Sequence, residues 1–314
     1  MSERTEKLVI IGSGPAGLTA AIYGCRADLE PLVFMGTKYG GQLMLTSEVE
    51  NFPGFPDPVL GPDLISRMKS QAERLGARLV QDDVVKVNFK SYPLEIHTAG
   101  GVTKALSVII ATGANPRRLD LQSEMRLMGK GVSNCAVCDA FFFRGKKVAV
   151  VGGGDTAMEE ATFLTKFATS VQVIHRRSEL RASAAMKKEA LNNPKISFVW
   201  DSAVTDVLGE AKVRGVKVRN LKSGREGELE VDGLFVAIGY DPNTEIFRGQ
   251  VELDAKGYVA IHNGTESSVP GVFVAGDVHD FRYRQAITAA ADGCKALLDA
   301  EKFVKRKLEV TVAS

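Results

Sequence analysis

The sequence predicts an α/β protein in which two similar halves each place a mostly parallel sheet between layers of helices. Two glycine-rich turns support this prediction, because each follows a short apolar strand and opens a helix: Lys7–Gly17 reads KLVIIGSGPAG and Lys147–Ala157 reads KVAVVGGGDTA. In addition, each half then runs through an alternating, turn-rich stretch to a buried strand that stops at a glycine. The pattern indicates an internal duplication of a Rossmann-like, three-layer unit.

Length and composition agree with two globular domains. The chain has 314 residues, and 40 Lys and Arg against 38 Asp and Glu leave a formal charge of +2. This balance argues against a dedicated nucleic-acid surface. Four cysteines are too few to staple a chain of this length, which favours a reducing compartment. The charged start MSERTEK and the absence of a long apolar run predict a cytoplasmic protein without a signal peptide or membrane span.

The first glycine turn has G-x-G-x-x-G spacing at Gly12, Gly14 and Gly17. In such a turn the first glycine permits the tight bend and the second lets the backbone approach a pyrophosphate. The third glycine allows the helix to pack closely on the strand. The phosphate then lies on helix amides at the positive end of the helix dipole. A dinucleotide site is therefore predicted here, and a second one follows at Gly152, Gly154 and Ala157.

The residues after each turn distinguish the two ligands. In the second half the strand VQVIH ends in His175, Arg176 and Arg177, and Arg181 follows one turn later. Arginines here match a 2′-phosphate through paired hydrogen bonds, whereas an acidic residue would accept a hydrogen bond from a ribose hydroxyl. We therefore predict NADP binding in the second half. In the first half the corresponding strand ends in VFMG, without the carboxylate that FAD sites often place there.

The remaining elements repeat between the halves. Alternating stretches at Val84–Ile110 and Phe198–Ile238 predict a β-meander in each half, ending in VIIATGA and LFVAIGY. A third buried strand, GVFVAGD at Gly271–Asp277, leads to a last helix expected from about Arg284 to Lys305.

A close cysteine pair is the strongest chemical signal. Ser133–Ala140 reads SNCAVCDA, which places Cys135 and Cys138 in C-x-x-C spacing. Such a pair cycles readily between dithiol and disulfide, and the motif often lowers a thiol pKa. The other two cysteines do not form a second pair, so no metal site is predicted. Asp139 is placed to exchange a proton with a thiolate, or alternatively to cap a helix or form a turn.

Ten short motifs, in this order along the chain, make it resemble the low-molecular-weight thioredoxin reductases: GSGPAG, GGQL, ENFPG, ATGA, CAVCD, VGGGDTAMEEA, HRRxxxRAS, VAIG, AGD and RQA. Most of them are common to the wider flavin disulfide reductases, but CAVCD before the second glycine turn is specific. Larger members of that group carry their cysteine pair soon after the first glycine turn. In this chain the corresponding segment, Tyr39–Phe55, contains no cysteine. Ala140 replaces the glycine usual after this motif.

The resemblance implies FAD and NADPH as cofactors, and it assigns residues to each. Those expected at FAD are Gly12, Ser13, Gly14, Pro15, Ala16, Gly17, Met35, Gly36, Gly40, Gly41, Gln42, Leu43, Asn51, Ala111, Thr112, Gly113, Gly276, Asp277, Arg284, Gln285 and Ala286. Those expected at NADPH are Gly152, Gly153, Gly154, Asp155, Thr156, His175, Arg176, Arg177, Arg181, Ile238 and Gly239.

The resemblance also implies a domain order and a direction for the electrons. An NADP domain at 117–243, which carries the cysteine pair, is expected as an insertion in a discontinuous FAD domain at 1–116 and 244–314. Electrons are expected to run from NADPH to FAD, to the Cys135–Cys138 disulfide, and then to the disulfide of thioredoxin. In the family Cys138 faces the flavin, Cys135 attacks the partner disulfide, the domains rotate between half-reactions and the enzyme is a homodimer.

Three other interpretations compete with this one. The same relay could serve another acceptor, such as a glutaredoxin-like protein, a peroxidase subunit or a small disulfide. A ferredoxin–NADP reductase uses the same scaffold, but it would leave Cys135 and Cys138 without a role. A non-catalytic NADP(H)-binding redox sensor is the third. We expect no fused thioredoxin or peroxidase domain, since the sequence shows no second C-x-x-C.

Overall fold

The computed structural model describes residues 5–46 and 48–312, and the chain divides into two compact units. The first unit combines Met1–Asn115 with Asp241–Ser314, and the second unit is Pro116–Tyr240. The chain passes between them through two short strands, Ala114–Pro116 and Tyr240–Pro242.

The strands and helices have the following bounds. The strands are β1 (Thr5–Ile11), β2 (Leu32–Phe34), β3 (Glu48–Val49), β4 (Val59–Leu60), β5 (Arg78–Val80), β6 (Val84–Asn88), β7 (Leu94–Thr98), β8 (Gly101–Ile110), β9 (Ala114–Pro116), β10 (Val132–Ser133), β11 (Lys147–Val151), β12 (Ser170–Ile174), β13 (Ile196–Val199), β14 (Ser202–Leu208), β15 (Gly215–Asn220), β16 (Glu226–Leu229), β17 (Gly233–Val236), β18 (Tyr240–Pro242) and β19 (Val272–Val274). The α-helices are α1 (Pro15–Arg26), α2 (Gly61–Arg74), α3 (Gln122–Leu127), α4 (Ala136–Asp139), α5 (Asp155–Leu164), α6 (Ala184–Leu191) and α7 (Ala286–Val312). Short 3₁₀ helices lie at Gly41–Leu45, Ala140–Phe143 and Glu245–Phe247.

The main sheet of the first unit has the order β5-β2-β1-β8-β7-β6, and β19 also pairs with β8. Strands β5, β2, β1, β8 and β19 run parallel, whereas β6, β7 and the first half of β8 form the antiparallel meander. One apolar core packs α1 and α7 on the sheet through residues such as Leu8, Ile109 and Leu297, and a second covers the opposite face around Phe247.

The second unit repeats this plan with five parallel strands in the order β10-β17-β11-β12-β13. Its meander, β14-β15-β16, forms a separate antiparallel sheet. Both units therefore confirm the predicted α/β class, with Rossmann-like parallel sheets and one meander each.

The last helix differs from the prediction at both ends. It begins at Ala286 rather than near Arg284, because Arg284 has φ of 48° and so cannot continue a right-handed helix. It extends beyond Lys305 to Val312. Despite this length it is not apolar enough to cross a membrane, and no other helix in residues 5–46 and 48–312 is both long and apolar enough to do so.

Candidate functional site

The first glycine turn packs tightly against backbone atoms, both its own and those that follow β8. Gly12 has φ of 119°, and a Cβ there would lie 2.2 Å from the carbonyl oxygen of Ala111. A Cβ on Gly17 would lie 2.0 Å from the carbonyl oxygen of Gly12. Gly14 precedes α1, and beyond its chain neighbours no atom of the described residues lies within 4 Å of its Cβ position. The turn therefore requires glycine at two positions for packing and leaves open space at the third, where a ligand can approach the helix amides.

Neighbouring segments converge on this turn within the first unit. The Ser13 hydroxyl donates to the Met35 carbonyl at 2.8 Å and accepts the Gly40 N–H at 3.0 Å. The Cβ position of Gly41 lies 3.7 Å from Gly14 Cα, and that of Gly276 lies 3.0 Å from Ala16 Cβ. The ends of β1, β2, β8 and β19 are thus gathered at one edge of the sheet, where ligands of open α/β folds bind.

Predicted residues more distant in sequence also meet. Asn51 Nδ2 donates to Gln285 Oε1 at 3.2 Å, which joins the ENFPG motif to the RQA motif. The Gln42 amide donates to Asn115 Oδ1 at 2.9 Å, and the Thr112 hydroxyl donates to the carbonyl of Asn243 at 2.8 Å.

The buried carboxyl group of Asp277 indicates what kind of ligand this site binds. Its Oδ1 atom is buried without a hydrogen-bond partner among the described residues. Burial, assisted by the nearby charge of Asp280, raises the pKa of Asp277 to about 7. A buried acceptor that lacks a donor is costly, and a ligand hydroxyl would supply that donor. The residues present therefore fit a polyhydroxylated dinucleotide such as FAD.

The second glycine turn, in the second unit, is similar. Gly152 has φ of 153°, and a Cβ there would lie 2.4 Å from the carbonyl oxygen of Ala237. Gly154 again has open space at its Cβ position, and α5 begins at Asp155. The carboxylate of Asp155 accepts the N–H of Ser183 at 2.6 Å. Thr156 follows in the first turn of α5, while Ile238 and Gly239 follow β17 at the same edge of the sheet as Gly152.

His175 lies beneath the second turn. It is buried, and a Cβ on Gly153 would lie 2.2 Å from its Cε1 atom. Its Nε2 atom is 3.0 Å from the carbonyl oxygen of Glu179, and burial lowers the pKa of the ring. His175 therefore supports the loop, whereas Arg176, Arg177 and Arg181 are exposed. The Arg181 N–H donates to the Gly153 carbonyl at 2.7 Å, so this arginine is adjacent to the turn.

The cysteine pair forms a disulfide in the second unit. Cys135 and Cys138 have Cα atoms 5.3 Å apart, with α4 beginning directly after Cys135. The backbone N–H of Cys138 points to Cys135 Sγ at 3.2 Å. Such an amide contact stabilises a thiolate on Cys135 after reduction. Cys138 is exposed and Cys135 half-buried.

Asp139 has the environment of a proton donor. Burial raises the pKa of its carboxyl, and a hydrogen bond from Ser133 opposes the rise. It makes no side-chain cap to the following 3₁₀ helix, which weakens the capping interpretation. Sequence reasoning missed Ser133, whose hydroxyl accepts the Cys135 N–H at 3.0 Å. The sequence feature that could have indicated Ser133 is its position two residues before Cys135, the first cysteine of the C-x-x-C motif.

The chain is similar to known proteins over most of its length. The family model described as pyridine nucleotide-disulphide oxidoreductase matches residues 6–293. The chain is 55% identical over 300 residues to a thioredoxin reductase of Streptomyces coelicolor, covering 95% of this chain and 93% of that protein. It is 49% identical over 304 residues to a bifunctional thioredoxin reductase/thioredoxin of Mycobacterium leprae, covering 96% of this chain and 66% of that protein. The solved structure of a thioredoxin reductase from Giardia duodenalis matches with a TM-score of 0.92 and 45% identity, covering 96% and 99% of the two chains.

Proposed function

The chain belongs to the pyridine nucleotide-disulphide oxidoreductase family, among its thioredoxin reductases, and on that premise we propose that it reduces thioredoxin with NADPH through FAD and the Cys135–Cys138 pair. The family predicted from the sequence motifs is thereby confirmed. The observation that carries the proposal is the Cys135–Cys138 disulfide beside Asp139, in a unit that also presents exposed arginines after a nucleotide turn.

The first unit is proposed to hold FAD. Gly14 and the first amides of α1 would bind its pyrophosphate, Asp277 would accept a hydrogen bond from one of its hydroxyls, and Asn51 and Gln285 lie together at the same site. Bound FAD would supply the two-electron chemistry that links a nicotinamide to a disulfide. The protein binds and orients this group through these contacts.

The second unit is proposed to hold NADPH. Gly154 leaves space at the start of α5 for a pyrophosphate, and Arg176, Arg177 and Arg181 present cations beyond the end of β12. Guanidinium groups bind phosphate through paired, charge-assisted hydrogen bonds, so they favour NADPH over NADH.

The reduced cysteine pair is proposed to exchange its electrons with a protein disulfide. The Cys135 thiolate attacks one sulfur of thioredoxin and breaks its disulfide, which gives a mixed disulfide and a thioredoxin thiolate. The Cys138 thiolate then attacks Cys135, which re-forms the enzyme disulfide and releases the second thioredoxin thiolate. Two protons complete the product dithiol. Asp139 is placed to deliver one of them, since burial raises its pKa.

Thioredoxin is the proposed partner because the Mycobacterium leprae relative is named a bifunctional thioredoxin reductase/thioredoxin, which joins a reductase and a thioredoxin in one chain. A homodimer in the cytoplasm is proposed on family grounds alone, and size-exclusion chromatography with light scattering tests the dimer.

The decisive assay for function is NADPH oxidation by the purified protein with a panel of oxidised thioredoxins. Glutaredoxin-like proteins, a peroxidase subunit, small disulfides and ferredoxin serve as competing acceptors. We expect turnover with thioredoxin that requires both cysteines. Faster turnover with another disulfide would reassign the acceptor, and ferredoxin reduction independent of both cysteines would contradict the proposal.

A further inference from the structure

The end of β2 lacks the acidic residue that nucleotide sites of this kind place on a ribose. In a Rossmann unit an Asp or Glu at the end of the second strand accepts hydrogen bonds from the ribose hydroxyls. Here the strand ends at Phe34 and continues with Met35, which is buried, and Gly36. Neither residue has a side chain that accepts such a bond.

The adjacent strand places a carboxylate at this position. β5 runs parallel to β2 with Val80 opposite Phe34. The pairing continues past both strands, because the Met35 N–H donates to the Val80 carbonyl at 2.9 Å and the Gly36 N–H donates to the Asp82 carbonyl at 3.2 Å. Asp83 is the next residue, so its side chain lies at the carboxyl edge of the sheet, beside the end of β2.

The Asp83 carboxylate is held against the segment that follows β2. Its Oδ1 atom accepts the Thr37 N–H at 2.8 Å, and its Oδ2 atom accepts the Thr37 hydroxyl at 2.8 Å. A Cβ on Gly36 would lie 3.1 Å from Oδ1, so glycine leaves room for the carboxylate to approach the backbone. The same edge carries the first glycine turn, since the Gly12 N–H donates to the Phe34 carbonyl at 2.9 Å.

The carboxylate also has free capacity to accept hydrogen bonds. Asp83 is exposed, and the hydrogen bonds from Thr37 lower its pKa, so it is ionised near neutral pH. An ionised carboxylate has about four acceptor positions, and Thr37 uses two of them. No other side chain or amide of the described residues donates to this carboxylate, so the other positions remain for the vicinal hydroxyls of a ribose.

We propose that Asp83 is the ribose-binding carboxylate of the first nucleotide site, supplied by the strand next to β2 instead of by β2 itself. The inference rests on the proposed binding of FAD in the first unit. It explains how a chain with VFMG at the end of β2 recognises an adenosine half.

The test is competitive exchange on the full-length holoprotein. The protein is equilibrated with equal excesses of FAD and its analogue lacking both hydroxyls of the adenosine ribose, and the bound flavins are released and separated by chromatography. We expect the wild-type protein to retain FAD over the analogue by at least about tenfold, as a charge-assisted hydrogen bond implies. Asp83→Ala should bring this ratio close to one. Asp83→Asn, which keeps an acceptor for the Thr37 N–H, should lower it by about fivefold.

Thr37→Val is the matched control, because it removes one contact of the carboxylate and leaves the carboxylate itself. It should keep the wild-type ratio. A wild-type ratio in either Asp83 variant, or the same loss in Thr37→Val as in Asp83→Ala, would overturn the role of Asp83. A purified wild-type protein that binds no FAD would instead contradict the proposed function.

Discussion

The two glycine turns share a backbone frame and differ in what surrounds them. In each, a Cβ on the first glycine would collide with the backbone of a neighbouring strand end, at Ala111 for Gly12 and at Ala237 for Gly152. In each, the glycine before the helix has open space. Around the first turn lie the carboxylate of Asp83 and the buried Oδ1 of Asp277, which has no hydrogen-bond partner within residues 5–46 and 48–312. Exposed arginines follow the second turn.

If the proposed cofactors bind here, this difference teaches that each turn would bind the pyrophosphate common to both ligands, while the side chains beside it would distinguish FAD from NADPH. Acceptors suit hydroxyl-rich FAD, and cations suit the 2′-phosphate of NADPH. The second unit differs further in carrying Cys135 and Cys138 ahead of its turn. Substitutions in each region should therefore affect one ligand or one half-reaction and spare the other.

The largest effect is expected from the cysteines. Cys135→Ser and Cys138→Ser should each abolish turnover with thioredoxin, since either change removes one sulfur of the relay. NADPH should still bleach the bound flavin anaerobically, because both nucleotide turns remain intact. Stopped-flow absorbance measures bleaching, and a thioredoxin-coupled assay measures turnover. Wild-type turnover in either variant would exclude the dithiol relay and favour the ferredoxin-type interpretation.

The next effect concerns the cations after the second turn. Arg176→Ala combined with Arg177→Ala would remove the two proposed charge-assisted contacts with the 2′-phosphate, each worth about 1.5–3 kcal/mol. We expect kcat/KM for NADPH to fall by about two to four orders of magnitude, with kcat/KM for NADH little changed. Arg225→Ala, an exposed arginine on the meander side of the same unit, is the control. Equal losses with both nucleotides would contradict the 2′-phosphate assignment.

A substitution of Asp139 should lower turnover with thioredoxin by less than the changes above. Asp139→Asn preserves size and removes the transferable proton, so we expect turnover with thioredoxin to fall by at least about tenfold. FAD content and the thermal midpoint should hold. Steady-state kinetics and differential scanning fluorimetry make the comparison. Unchanged turnover would leave Asp139 a turn residue, with solvent as the proton source.

The same glycine-to-alanine substitution, made separately in each turn, tests whether each turn binds its own nucleotide. Gly14→Ala and Gly154→Ala place a methyl group in space left open by the part of the chain that the structure describes, so the thermal midpoint should hold. Each methyl would crowd a pyrophosphate. We therefore expect about fivefold weaker binding of FAD in the first case and of NADPH in the second. Titration calorimetry measures NADPH binding, and flavin fluorescence on dilution measures FAD retention. A variant that weakens the other nucleotide equally would contradict separate sites.

The smallest effect is a shift in pH dependence. The Ser133 hydrogen bond favours the ionised form of Asp139, so Ser133→Ala should raise the pKa of that carboxyl further. If Asp139 donates its proton, turnover falls as pH rises through this pKa. The descending limb should therefore move to higher pH in Ser133→Ala, and Ser133→Thr should restore it. A limb that moves to lower pH would contradict the role of Asp139.

The sequence was sufficient for the fold class, the paired glycine turns and the family, because these depend on local spacing and repeated patterns. It could not reveal contacts between distant segments. Asp83 lies far in sequence from Met35, and only the β2–β5 register brings them to one edge. The sequence likewise could not reveal that His175 is buried beneath Gly153, because a residue at the end of a strand has the same sequence pattern whether it faces solvent or the loop. The last helix was predicted to begin two residues too early, because the residue type of Arg284 does not reveal that its backbone is left-handed.

Single-turnover transfer tests the central claim most directly: the first unit holds FAD, the second holds NADPH, and the cysteine pair passes electrons outward. The purified protein is bleached anaerobically with two equivalents of NADPH, one to reduce the Cys135–Cys138 disulfide and one to reduce the flavin, and is then mixed with oxidised thioredoxin. We predict that flavin colour returns rapidly in the wild-type protein and that Cys135→Ser stays bleached under the same conditions. Equally rapid return of colour in both proteins, or a flavin that NADPH leaves coloured, would contradict this account.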